Sequence, residues 1–356
     1  MGANRPTRME RFRTDMPSLE FLLGIVMMVS LTFYALLGGA DYGGGVWDLL
    51  ARGPRAKQQR ELIAKAIGPV WEANHVWLIL VVVVLFTAFP PAFALISTSL
   101  HVALLLLLLG IVLRGSAFIF RSSGATPVPE KRPWGRVFAT ASLVTPVFLG
   151  VVVGAISSDS IRMPGEKETT GYFFTWAAPF PFAVGLFAVV LFALLAAVFL
   201  TLETDDTALQ DDFRRRAIAC EVVAGVLALT VFLLAGRGAP AIRERLADSW
   251  WTIPLQLATA FMALGTIGTL WARRFPWARV CAAGQVTLIL WGWALAQYPY
   301  LVRPDLTIDN SAAPQSTMQA LLWILAAGVV VLFPSYWYLF HVFKGDTIAD
   351  RPAALK

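Results

Sequence analysis

Charge is scarce in this chain of 356 residues. Only 15% of them are Asp, Glu, Lys or Arg, against a hydrophobic share of 57%, whereas soluble domains carry about 25% charged residues. The shortfall runs the length of the chain, which excludes a soluble globular domain and points to an integral membrane protein of many spans. Cysteine is nearly absent as well. Cys220 and Cys281 both fall in apolar runs and form no CxxC pair, so neither a disulfide framework nor a thiolate metal site is indicated. Histidine is limited to His75, His101 and His341. No GxGxxG follows a strand, which dismisses a dinucleotide fold. The net charge of +6 does not indicate nucleic acid, because Lys and Arg sit in short connectors between apolar runs, as membrane topology signals do.

Those apolar runs are what the chain has in abundance. A helix of roughly 20 apolar residues crosses a hydrocarbon core of roughly 30 Å. Nine such runs lie near 19–38, 70–89, 92–120, 137–157, 178–202, 217–236, 252–271, 277–298 and 317–340. The sequence therefore predicts an all-α polytopic membrane protein. The first run shows no small-residue cleavage site and reads as a retained span. FPPAF joins the second and third runs, and Pro90 and Pro91 predict a tight turn there.

Counting Lys and Arg on alternate sides sets the orientation. With the N-terminus outside, the inner connectors and C-terminal tail hold 18 and the outer ones 10. The excess of positive charge predicts an outer N-terminus and a cytoplasmic C-terminus. The expected layout is an outer segment 1–18, a single transmembrane domain 19–344 and a cytoplasmic tail 345–356.

Against this apolar background a few polar residues stand out. LLGGADYGGGVWDLL (36–50) is glycine-rich, as close-packed membrane helices are, but packing does not account for Asp41. Acids at membrane depth are rare and face the interior or a wet cavity. Asp48 reads more simply as a residue of the cytoplasmic interface. In IGPVWEANHVWL (67–78), Glu72 and His75 are three apart and share a helical face. Glu72 is either a first-turn acid favoured by the helix dipole or a buried proton-exchanging carboxylate. His75 reads as a hydrogen-bonded interior residue. The expected topology puts Asp41 and Glu72 on adjacent helices near the cytoplasmic side, a candidate proton entry. Arg114, alone in the third run, is expected to snorkel toward the inner surface. Glu221, Gln256, Gln285 and Gln297 read as interhelical hydrogen-bonding groups. Only His75 and His341 lie at matched depth for a bis-histidine haem, and Glu72 with His75 supplies too few ligands for a metal.

The ordered set of motifs goes further. GADYGGGVWDLL, then GPVWEANHVWL followed by FTAFPPAF, then the arginine of LLGIVLRGSAFIFR, then YPYLVRPDLTIDNSAAPQS together resemble subunit II of the cytochrome bd quinol oxidases, over nearly the whole chain. The resemblance implies two four-helix bundles, approximately 19–157 and 178–340, plus one peripheral helix. It implies an enzyme complex that reduces dioxygen to water with electrons from a membrane quinol. No cofactor is expected in this chain; b-type and d-type haems belong to a partner, subunit I. A small accessory subunit, lipid and quinone are further expected partners, in a bacterial cytoplasmic membrane.

Residue by residue, the resemblance makes Glu72 the acid of the W-[D/E]-x-N segment, beside Trp71 and Asn74. Trp77 matches a tryptophan implicated in dioxygen access, and Asp41 the second acid of DG-x-D-x-G. The first acid of that motif is replaced by Gly38, which leaves Asp48 to serve in its place if an acid is needed. The resemblance thus nominates Asp41, Glu72 and Asp48 for a proton path, with Asn74, His75 and Arg114 as polar support. From the residues alone, a proton-coupled transporter stays open, since glycine-interrupted spans also mark transport sites.

Overall fold

The computed structural model describes residues 18–67, 71–122, 128–163 and 175–349. The expected outer segment before Ser18 and the tail beyond Ala349 lie outside the described residues. Twelve helices follow in order: α1 Leu19–Leu50, α2 Ala56–Ile67, α3 Trp71–Ala88, α4 Pro90–Ser99, α5 His101–Ser122, α6 Val128–Ser157, α7 Pro179–Leu200, α8 Thr207–Gly238, α9 Pro240–Asp248, α10 Thr252–Trp271, α11 Phe275–Gln297 and α12 Gln315–Ala349. Eight are long and apolar enough to cross a membrane, and α3 with α4 makes a ninth if that bent pair is one span. The all-α polytopic architecture expected from the sequence is the one observed, with eight to nine spans among the described residues.

Local chemistry sets the helix ends. The Ser18 hydroxyl accepts from the Phe21 N–H to open α1, and the Asp206 carboxylate accepts from Ala208 and Leu209 to open α8. Helices α4, α7, α9 and α11 each carry proline in the first two positions, where its missing N–H is not needed. The FPPAF turn is a correction to expectation. Pro90 starts a short helix bent by 116° from α3, and a break at Leu100 separates it from α5. Two consecutive prolines fit the first turn of a helix as well as they fit a loop.

The most buried helix is α7. It is apolar on every side, as a helix enclosed by others must be, and it packs against α1, α6, α8 and α11. Glycines set how closely it is approached. A Cβ on Gly43 of α1 would collide with the Phe192 carbonyl of α7, and one on Gly150 of α6 would lie 2.6 Å from the Gly185 Cα. The first half of the chain gathers α1, α3, α5 and α6, while α10 packs on α11 in the second. Helix α12 leans on α1 and α3, with most of the described side chains along it exposed.

A short antiparallel hairpin, β1 Tyr300–Val302 with β2 Leu306–Thr307, follows α11. It ties distant helix ends together. The Arg303 N–H donates to the Ile156 carbonyl at 3.2 Å, and the Ala313 N–H to the Ala88 carbonyl at 2.8 Å. The Arg303 guanidinium donates to the Ala296 carbonyl at 2.8 Å.

Candidate functional site

The polar residues singled out from the sequence converge along one side of α1. That helix is interrupted by a π-helical turn, Tyr34–Gly38, a local widening that occurs preferentially at functional sites. The Asn74 amide of α3 donates to the Leu37 carbonyl in this turn at 3.3 Å. Tyr34 opens it and Tyr42 follows one turn on, with hydroxyls 3.4 Å apart. The His75 ring lies 6.4 Å from the Tyr34 ring and 6.3 Å from that of Tyr42. Asn74 and His75 are thus built into the α1–α3 contact. Neither the π turn nor the tyrosine pair was foreseen; glycine-rich sequence carries no signature for the extra residue of a π turn.

One turn beyond, Asp41 meets Arg114 of α5 at 2.6 Å, with the arginine side chain 1% and the aspartate side chain 4% exposed. The guanidinium also donates through Nε to the Ser142 hydroxyl at 3.0 Å. It lies over the rings of Tyr42 and Phe138, at 4.6 and 4.9 Å. Arg114 therefore does not snorkel to the surface as expected. Its charge is met in place by a carboxylate, a hydroxyl and two aromatic faces, so reaching for water would gain nothing.

Asp48 departs from expectation for a similar reason. It is buried rather than solvated at an interface, and Arg121 grips it with both guanidinium ends at 2.8 and 3.0 Å. Asp41 and Asp48 are seven residues apart on α1, and Arg114 and Arg121 seven apart on α5. Two turns, about 10.5 Å of helix, separate the pairs on both helices, so α1 and α5 run in the same direction. The Phe138 ring of α6 lies near both arginines, 4.9 Å from Arg114 and 5.7 Å from Arg121. The side-chain partner that the structure gives Asp41 is Arg114. The backbone of Glu72 begins α3, close to the Asn74 contact with α1, but its side chain lies outside the described residues.

Trp77 is buried and stacks on Phe33 of α1, centroids 4.5 Å apart and planes 20° from parallel. Farther along, Gln285 of α11 donates to Glu221 of α8 at 2.6 Å. Gln297 donates to the Ile156 carbonyl at 3.2 Å, and Gln256 to the Leu246 carbonyl at 3.1 Å. All three contacts cross between helices, as the sequence suggested. The His341 side chain lies outside the described residues, so the His75–His341 pairing is not described. Among the described residues no group of three His, Cys, Asp or Glu is placed to hold a metal ion.

Comparison with known proteins places this geometry. The family described as "Cytochrome bd terminal oxidase subunit II" matches residues 19–343. The chain belongs to that family. Its similar relatives include "Cytochrome bd-I ubiquinol oxidase subunit 2" of Escherichia coli K12, 24% identical, with 94% of this chain and 97% of the relative covered. "Putative cytochrome bd menaquinol oxidase subunit II" of Bacillus subtilis is 20% identical, with 92% and 97% covered. Among solved structures, "The structure of bd oxidase from Geobacillus thermodenitrificans" contains a chain with a TM-score of 0.77 and 22% identity, covering 91% of this chain and 98% of that one. A bd subunit II is one component of a terminal oxidase, an oxidoreductase complex of respiratory electron transport in the bacterial membrane. It works with at least one other subunit.

Proposed function

We propose that this chain is the haem-free subunit of a quinol:dioxygen oxidoreductase, holding the haem-bearing subunit I in the cytoplasmic membrane and assisting its supply of protons and dioxygen. The observation that carries this reading is the family match over residues 19–343, on a fold in which the first three motifs meet around Asp41, Arg114 and His75 and the fourth bonds back to Ala88 of the second. In the reaction, each quinol yields two electrons and releases two protons outside. The four electrons of two quinols, with four protons taken from the cytoplasm, convert one dioxygen to two waters. The b-type and d-type haems that pass the electrons are carried by subunit I.

Within that reading Asp48, Asp41 and Glu72 form a proton route from the cytoplasmic end of α1. Asp48 lies at the shallow end, next to the half-exposed connector, and Asp41 two turns deeper. Oδ2 of Asp41 is buried and has no hydrogen-bond partner among the described residues, so it retains acceptor capacity beyond the Arg114 contact. Tyr42, Tyr34 and His75 carry the polar surface on to α3, where Glu72 stands in the first turn. Asp41 and Asp48, each held by an arginine, order the route, while Glu72 exchanges the proton. Trp77, stacked on Phe33, borders the dioxygen path.

The assignment is tested by purifying the chain through a tag from its native membrane. A co-eluting subunit with b- and d-type haem absorption and quinol-dependent oxygen uptake is the expected result. A chain that elutes without any haem subunit, or that takes up solute alone in liposomes, overturns it.

A further inference from the structure

We infer that the end of the molecule where α1 stops and α8 starts holds the headgroup of an anionic phospholipid. A cavity of about 280 Å³ opens there, lined among others by Arg52, Arg55, Gln59, Asp212, Arg215 and Arg216. Four guanidiniums face one carboxylate, a surplus of three positive charges.

The carboxylate is already committed. Asp212 accepts from Arg55 at 2.6 and 2.8 Å and from Gln59 at 2.8 Å. Gln59 in turn accepts from Arg216 at 2.8 Å, and the Arg216 guanidinium rests over the Trp47 and Phe213 rings, 5.2 Å from each. Neighbouring Asp211 is taken up by Arg214 and Arg273, at 3.1 and 2.8 Å, and Asp206 caps α8. That framework fixes Arg55 and Arg216 as two walls. Arg52 and Arg215 remain exposed and make no ion pair with any described residue. Guanidiniums in this number, two held and two available, suit the planar, multidentate recognition of phosphate oxygens.

The surroundings select a lipid over a free anion. Leu49 and Leu50, just before the pocket, are 39% and 45% exposed. On α8 a stripe runs away from Arg215 at seven, eleven, fourteen and eighteen residues: Val222, Val226, Leu229 and Leu233, all more than half exposed. This spacing keeps one helical face. A basic pocket heading an apolar stripe matches a phospholipid, with phosphate at the arginines and an acyl chain along α8. Basic pockets between spans are a recognised mode of anionic headgroup binding.

The test uses the intact complex, purified through a tag on this chain and delipidated in detergent. Native mass spectrometry then follows binding of phosphatidylglycerol, phosphatidylcholine and inorganic phosphate. Phosphatidylglycerol is expected to bind at least about tenfold more tightly than phosphatidylcholine. The double variant R52A/R215A is expected to weaken it about thirtyfold, which is what roughly 1 kcal/mol per arginine converts to. R52Q/R215Q, which keeps more of the side-chain volume, should lose as much, while Arg237→Ala at the far end of α8 should lose nothing. Equal binding of the two lipids by the unaltered complex overturns the inference whether or not the variants assemble. So does displacement of phosphatidylglycerol by millimolar phosphate, which would assign the pocket to a free anion.

Discussion

Asp41 and Arg114 sit 2.6 Å apart with both side chains almost wholly buried, and the contact is repeated two helical turns away by Asp48 and Arg121. The two pairs differ in what surrounds them, and so in what their loss should do. Breaking the deeper pair strands a charge where no water reaches it, a cost of about 3–5 kcal/mol. Arg114→Ala is expected to lower the thermal stability of the purified complex sharply or to prevent assembly. Arg114→Lys should recover only part, since a point ammonium cannot also span Ser142. The double change Asp41→Leu with Arg114→Leu should restore assembly, because no charge is then left unpaired. Haem content retained through heating is the measurement. Assembly by the arginine single variant equal to that of the double variant would contradict the pairing.

The shallower pair should tolerate more. Arg121 is 23% exposed and can turn to water when its partner is removed. Asp48→Asn is expected to cost about 1–2 kcal/mol and to leave the complex assembled. Melting curves at low and high salt check this, with the loss expected to shrink as salt rises.

Gly43 separates packing from charge. Gly43→Ala would drive a methyl group into the Phe192 backbone, an overpacking expected to cost about 1–3 kcal/mol or more. Gly225→Ala, where a Cβ meets nothing within 4 Å, is the matched control. A comparable loss in the control would mean that close approach of α1 to α7 does not limit stability.

Glu72→Gln tests the proton route. Quinol-dependent oxygen uptake is expected to fall about a hundredfold or more, the lower end of the range for removing a positioned proton-transfer group, with haem content unchanged. Full activity removes Glu72 from the route, and loss of haem makes it a structural residue.

Trp77→Phe keeps a ring to stack on Phe33 but shortens it. If the indole borders the dioxygen path, the oxygen KM should change at least about twofold with kcat at saturating oxygen unaltered. An oxygen-electrode titration of the purified complex reads both. Unchanged KM and kcat together would leave Trp77 as packing only.

Spans were readable because the hydrophobic run is a property of the sequence itself. The boundaries of α7 and α10, each close to its apolar run, follow from composition alone. Pairing was not readable in the same way. Asp41 and Arg114 are 73 positions apart, and no local pattern tells an arginine that snorkels from one whose counter-ion stands on another helix. The heptad offset shared by Asp41 with Asp48 and by Arg114 with Arg121 was present in the sequence, and treating α1 and α5 as parallel would have exposed it. The apolar run at 19–38 implies an interface for Asp48, whereas the helix continues to Leu50. The π turn at Tyr34 and the hairpin at Tyr300 arise from tertiary demand rather than from propensity.

The hairpin after α11 bears on how the chain is made. The bonds from Arg303 and Ala313 reach carbonyls at the ends of α6 and α3, spans that leave the ribosome long before residue 300. Those helices must rest in the bilayer with that corner unfastened until α11 has been inserted. The late loop therefore acts as a latch, and the order of synthesis makes closure of the first half contingent on arrival of the second.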